Sequence, residues 1–434
     1  MASRNSWVTL RKFSYDNSGK ALKLDRCSLK ALIGVTLILS CIASIFYLYS
    51  RPSRNGFGDE HDFVTVIAGV HCAVDQCDPY DSPTLEQEFA RMGGYTAPSH
   101  FKPEWPVYPP STFVLLLPLS LLPWSVLSVV WLLLSFAFLS AAFVLLFLRF
   151  KAYRDLLSIL PFIILLADGS IGWAVQLGQP ILIAASSLTL AIVALESGTM
   201  PITGGLLLAI SLCLKPQGAY LCGAYFLLRT STRIPVAAAY LFTAAAAAAG
   251  TLLFYFRLSS FAFLGHLAAN LKLAVQPGRD ADFSLANEAN SASFLNLQAF
   301  LARFIDNPHL CNGLTYAAFL GIAGFLVFVC LRKHTLDTRP FTILAVLVML
   351  ELLVSYHRLY DHALMLAAIP GLFEIKERGR SSYLLFVAAL VVYHFSQFHG
   401  VKIHGLGPFP SGAPVELFIS VLCLHSLWAD PSTT

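Results

Sequence analysis

Between Leu32 and Tyr49 the chain carries no charged side chain, and stretches of the same kind recur almost to its end. A helix rises about 1.5 Å per residue, so about 20 apolar residues cross a hydrocarbon layer roughly 30 Å thick. Only helices and closed barrels satisfy their backbone polar groups there, and the alternating pattern of a barrel strand is absent. The chain is therefore expected to be an all-α, polytopic membrane protein. Hydrophobic residues make up 56% of its 434 residues and charged ones 12%, against roughly a quarter charged in a soluble protein. Reading apolar runs between polar breaks predicts about 12 spans, near 32–49, 125–148, 156–167, 181–195, 202–214, 219–228, 236–256, 316–331, 341–354, 359–373, 383–395 and 415–427. The stretch 111–122, interrupted by Pro118 and followed by Pro123, reads as a separate re-entrant or interfacial helix.

Residues 1–30 form a polar tail with Arg4, Arg11, Lys12, Lys20, Lys23, Arg26 and Lys30, and residues 31–430 a single transmembrane domain. The first apolar run is too long for a signal-peptide core and lacks a clear cleavage site, so it reads as an anchor with the N-terminus inside. Alternating sides from there gathers Arg149, Lys151, Arg154, Arg229, Arg233, Arg332, Lys333, Arg339, Lys376, Arg378 and Arg380 on the cytoplasmic face, as the positive-inside bias requires. The net charge of +4 is accounted for in this way, and no nucleic-acid partner is expected; the lasting partners are membrane lipids. The two longest loops, near 50–110 and 257–312, fall outside. No internal repeat marks an inverted-repeat transporter. Cys72 and Cys77 share the first outer loop, where an oxidising exterior permits a disulfide; two free thiols are the open alternative.

Chemistry concentrates on that outer side. Asp59, Glu60 and Asp62 follow the first span closely, and a carboxylate held there could take the proton of an attacking hydroxyl; acids solvated at a membrane surface are the plain alternative. Lys215, in LKPQ, and Arg358, in SYHRLYDH, are outer cations flanked by apolar helix, a costly place for charge unless it faces a functional cavity. Lys215 could equally snorkel to headgroups. If one helix runs through 351–362, then Glu351, Ser355, Arg358 and His362 share a face, and His357 and Asp361 form an i,i+4 pair. A Glu351–Arg358 ion pair would brace helices, or Glu351 would orient Arg358 and a histidine toward phosphate or sugar. Gln176 and Gln179 lie near the outer end of a span, Asn290 in a polar run from Asn287 to Asn296, and Tyr108 beside Trp105; each suits carbohydrate, and each has a structural reading as helix break, loop or interface anchor. The many outer histidines show no HExxH pattern, so no metal and no cofactor are expected.

The order DF (Asp62, Phe63), AG (Ala68, Gly69), DPYD (78–81), YPP (108–110), LGQP (177–180), GLLLAISLCLKPQ (205–217), ANSASFLNL (289–297) and SYHRLYDHALML (355–366) resembles the family 87 glycosyltransferases of the GT-C superfamily. The resemblance implies an inverting enzyme that moves a hexose, typically mannose, from a polyprenyl-phosphate donor to a lipid or glycan acceptor, on the outer face of a bacterial cytoplasmic membrane. It implies that Asp62 is the base; Asp59 is the alternative catalytic carboxylate. By position, Arg358, Lys215, His357 and His362 would meet the donor phosphate. Tyr108, Gln176, Gln179, Asn290, Glu351 and Asp361 would bind substrate. The rivals are a secondary transporter or flippase of lipid-linked sugar, and a polymer ligase using a diphosphate-linked donor.

Overall fold

Long apolar segments become helices wherever proline and glycine leave them room. In the computed structural model the described residues are 26–49, 61–92, 106–167, 169–279, 281–284, 294, 296–333, 335–336, 338–355, 358–377, 379–399, 402–403, 407–408 and 412–429. α1 (Arg26–Tyr49) begins inside the basic tail and is followed by α2 (His61–Asp75) and α3 (Ser82–Arg91), which belong to the connection before the next span. α4 (Pro110–Leu116) starts on its own proline and runs into a 3₁₀ turn, Leu117–Leu121, that Pro123 ends, as expected for a short separate helix. Then come α5 (Trp124–Arg149), α6 (Leu156–Ala167), α7 (Gly169–Gln176), α8 (Ile181–Ser197), α9 (Pro201–Leu214), α10 (Tyr220–Leu228), α11 (Arg233–Leu258) and α12 (Ala262–Ala274). The chain closes with α13 (Leu297–Leu301), α14 (Pro308–Lys333), α15 (Pro340–Val354), α16 (Ile369–Lys376), α17 (Arg380–His399) and α18 (Gly412–Trp428). The only strands among the described residues are the two-residue pieces Lys402–Ile403 and Gly407–Pro408.

Among the described residues, five stretches are long and apolar enough to cross a membrane: Ser28–Tyr49, Trp124–Arg149, Leu156–Gln176, Arg233–Leu258 and Pro308–Lys333. Shorter apolar helices, among them α8, α9, α15 and α18, pack between them, and α8 is buried along nearly its whole length. The chain is an all-α, multi-pass membrane protein.

The run 359–373 departs from the expected pattern. It is not a continuous span but a 3₁₀ helix, Leu359–Ala368, leading into α16. Its cause is local: α15 ends at Val354, and the Asp361 carboxylate turns back to accept the Arg358 backbone N–H at 3.1 Å, which starts the new helix at Leu359.

α2 is apolar almost all round, and the fold uses it so. Phe63, Val64, Val66, Ile67 and Val70 are buried in a core shared with α4, α5 and α11, while Gly69 lets the Phe113 ring lie where a side chain would be. With 15 residues, α2 is too short to cross the bilayer, and it serves instead as a buried bracket.

Candidate active site

Asp62 stands in the first turn of α2. The next residue fixes its place: the Phe63 ring stacks on Trp131 at 5.0 Å and lies 5.5 Å from Trp124, and the Phe63 N–H donates to the Leu177 carbonyl at 3.2 Å. The Asp62 carboxylate accepts from the Gln179 side-chain amide. It keeps one edge on a cavity and is otherwise ringed by protein. Burial pushes its pKa up from 3.8 to about 6, with Asp361 adding to the rise, while Arg358, Lys215 and the Gln179 hydrogen bond pull it down. Such a group is ionised at neutral pH and still basic enough to draw a proton from a hydroxyl in a transition state.

Two cations frame this carboxylate. Lys215 follows α9 in a non-helical conformation, and its ammonium pairs with Asp361 and lies 4.9 Å from the centre of the Tyr360 ring. Asp361 is 1% exposed; one oxygen takes Lys215 and the other the Arg358 N–H. A single buried carboxylate thus anchors both the lysine side chain and the backbone that carries Arg358. Arg358 also forms an isolated antiparallel bridge with Phe294.

The cavity holds about 410 Å³. Asp62, Gln179, Lys215, Arg358, Tyr108 and Tyr360 make its polar part, and Leu271, Ala274 and Val275, in and just beyond α12, make an apolar wall. α12 is held over the cavity by Asn270, whose side-chain amide donates to the carbonyls of Tyr80 at 2.8 Å and Pro106 at 3.1 Å, and by His266, 2.7 Å from Asp78. The Tyr80 hydroxyl in turn donates to the Tyr108 carbonyl at 2.9 Å. This is a polar head joined to an apolar flank, a shape suited to an amphiphile.

The structure brings Asp62, Lys215, Arg358, Tyr108 and Gln179 to one cavity, with Asp361 directly behind two of them. Gln176, in the last turn of α7, and His362, buried in the 3₁₀ helix, do not line it. The expected Glu351–Arg358 pair does not form, because the helix that would have aligned them ends at Val354. Glu351 is instead 1% exposed and accepts the Leu221 N–H at 2.6 Å, capping α10 from a neighbouring helix. Asp59, His357 and Asn290 lie outside the described residues, whereas Asn296, from the same polar run as Asn290, is the N-cap of α13. Sequence reasoning passed over Thr65, Gln217, Tyr360 and the α12 wall. Thr65 was within reach, three residues along a helix from Asp62, and Gln217 and Tyr360 sat inside the quoted motifs. Nothing in α12 announces that its apolar face closes a cavity 200 residues from α2 in sequence order, roughly the span between Asp62 and Leu271.

At the far end of α2, Cys72 and Cys77 form a disulfide with Cα atoms 4.5 Å apart, which resolves the alternative left open above. His71, Asp75 and Glu88 put potential ligand atoms within 4.8 Å of one another, the one such group among the described residues. Arg91 already bridges both carboxylates, 2.6 Å from Asp75 and 2.7 Å from Glu88.

Comparison with curated proteins and with solved structures gave no match. Comparison with family models matched "Glycosyltransferase family 87" over residues 106–355, more than half of the chain, a segment that includes Tyr108, Gln179, Lys215 and Glu351. With its helical membrane architecture and a carboxylate and two cations gathered on one cavity, the chain belongs to glycosyltransferase family 87.

Proposed function

We propose that this glycosyltransferase moves a hexose, mannose in the first instance, from a polyprenyl-phosphate donor to a lipid or glycan acceptor, with inversion, on the outer face of a bacterial cytoplasmic membrane. The observation that carries the reading is a single carboxylate, Asp62, set beside Arg358 and Lys215 at the polar head of a cavity whose flank is apolar. The apolar wall suits the prenyl chain and the cations suit its phosphate.

In this reading the acceptor hydroxyl gives its proton to Asp62 as its oxygen attacks the anomeric carbon from the face opposite the phosphate. The bond from the anomeric carbon to the phosphate oxygen breaks, its electron pair stays on that oxygen, and the lipid phosphate leaves as a monoester. Negative charge grows on the phosphate in that step, where Arg358 and Lys215 are already fixed, so little reorganisation is needed. Asp361 is committed to Lys215 and the Arg358 N–H and does not line the cavity, whereas Asp62 does, with no cation bonded to it among the described residues.

The test is purified protein in liposomes given a panel of polyprenyl-phosphate sugars and membrane lipid acceptors. Sugar transfer with inversion at the anomeric carbon, read by NMR of the product, supports the proposal. Donor that reaches the opposite leaflet intact identifies a flippase instead, and consumption of diphosphate-linked donor alone identifies a ligase.

A further inference from the structure

The carboxylate at the head of the cavity is not placed by its own helix alone. Gln179 is 2% exposed and sits in the turn between α7 and α8, 117 positions away from Asp62 in the chain. That turn is clamped to the first turn of α2. The Phe63 N–H donates to the Leu177 carbonyl at 3.2 Å, and the Gln179 N–H closes the turn onto the Ala174 carbonyl at 2.9 Å. The Trp131 indole N–H donates to the Gly178 carbonyl at 2.9 Å. Gly178 has φ +62°, and a Cβ there would lie 2.5 Å from the Phe63 Cβ, so the two backbones meet with no room between them. On this frame the Gln179 amide nitrogen points at Asp62 and makes the one hydrogen bond to it found among the described residues.

The chemistry of that contact is one-sided. An amide NH₂ only donates, and a donated hydrogen bond to a carboxylate is stronger than one to the neutral acid, so it favours the ionised form. The other groups acting on Asp62 are charged: Arg358 and Lys215 favour ionisation, and Asp361 opposes it, as burial does. Arg358 and Lys215 are also the groups placed to meet an anionic ligand. Gln179 has no charge for such a ligand to compete for, and although a small edge of it lies on the cavity, its amide nitrogen is already given to Asp62.

We infer that Gln179 is a positioning residue that holds Asp62 ionised and aimed into the cavity, rather than a residue that binds sugar. The inference rests on Asp62 being the base, and it extends that reading by naming what keeps the base ready. The hold is rigid because both ends of it are built into packed backbone.

The experiment compares wild type with Gln179→Met, which keeps the length and loses the donor, and Gln179→Glu, which puts a second carboxylate in the same place. Dicyclohexylcarbodiimide labels buried carboxyls in their protonated form, so labelling of the Asp62 peptide, followed by mass spectrometry across pH in proteoliposomes, reads its protonation directly, with Asp62→Asn as the blank. The pH dependence of kcat/KM is measured alongside. Loss of a charge-assisted hydrogen bond is expected to move the labelling midpoint and the acid limb of kcat/KM upward by about one to two pH units in Gln179→Met. The shift should be larger in Gln179→Glu, where two carboxylates share a proton. In Gln179→Met the loss of activity should be greatest at low pH and shrink as pH rises.

An unmoved midpoint, with activity lowered equally at every pH or through KM alone, overturns the inference and returns Gln179 to sugar binding or packing. Should Gln179→Met fail to fold, the Gln179→Glu midpoint decides alone. A shifted midpoint in a protein whose Asp62→Asn variant still transfers sugar would support the hold on Asp62 while removing Asp62 as the base, so the two ideas fail separately.

Discussion

Replacing Asp62 with asparagine is expected to make the protein more stable while sharply lowering its activity. The folded protein holds the Asp62 proton up to about pH 6, whereas the unfolded chain releases it near 3.8. Across that window the folded state binds more protons, so stability falls as pH rises from about 4 to about 6 and stays at the lower level above it. The gap of about two pH units, at about 1.4 kcal/mol each, costs up to about 3 kcal/mol at neutral pH. The edge that Asp62 keeps on the cavity lets water screen the charge and brings the cost below that ceiling. The attraction of Arg358 and Lys215 is already counted, since the pKa is raised in spite of them. Asparagine resembles the protonated acid in shape and charge, so Asp62→Asn should recover most of this at pH 7.5 and nothing at pH 4. Thermal unfolding in detergent, followed by intrinsic fluorescence at both pH values, should show a midpoint higher by a few degrees in the variant at pH 7.5 and equal midpoints at pH 4. A variant no more stable than wild type at pH 7.5, or one with the same gain at both pH values, would refute the reasoning that Asp62 is held charged against its surroundings.

Three further outcomes follow from the same geometry. Lys215→Met leaves Asp361 buried without its cation and should cost about 3–5 kcal/mol; Lys215→Met with Asp361→Asn should restore most of the stability by the same unfolding assay, but not the transfer activity. Gly178→Ala forces a side chain to φ +62° against Phe63 and should destabilise by about 2–4 kcal/mol, combining left-handed strain with overpacking, and lower kcat through displacement of α2. Glu351→Gln keeps an acceptor for the Leu221 N–H and should be tolerated, whereas Glu351→Leu leaves that half-buried donor unpaired and should cost about 1–3 kcal/mol, a difference visible in detergent melting curves.

The all-α membrane architecture was legible because it depends on local sums: a run of apolar residues forms a helix in the membrane whichever partners it finds, although the length and continuity of each, as at 359–373, depend on its partners. The short helix at 110–116 was equally readable, since Pro118 and Pro123 act on their own neighbours. Charge pairing was not readable in the same way. Glu351 and Arg358 share a face only if one helix contains both, but α15 ends at Val354, Arg358 caps the next helix through Asp361, and Glu351 meets a different helix. Asp361 reads in the sequence as the partner of His357 at i,i+4 and as a substrate binder; its partner in the structure, Lys215, lies 146 positions away, beyond any periodic signal. The contact between Gln179 and Asp62 was not legible either, because no local rule tells an amide that meets a sugar from one that meets a carboxylate arriving from another loop.

The central claim is that Asp62 takes the acceptor proton, and single-turnover transfer in proteoliposomes tests it most directly. Wild type and Asp62→Asn would be given radiolabelled polyprenyl-phosphate mannose with membrane lipid acceptors at pH 7.5, and labelled product followed in time. The account predicts product from wild type and a rate lower by about 10²–10⁴-fold in the variant, the usual contribution of a general base, in a protein that melts no lower than wild type. Transfer by Asp62→Asn within a few-fold of the wild-type rate would contradict it.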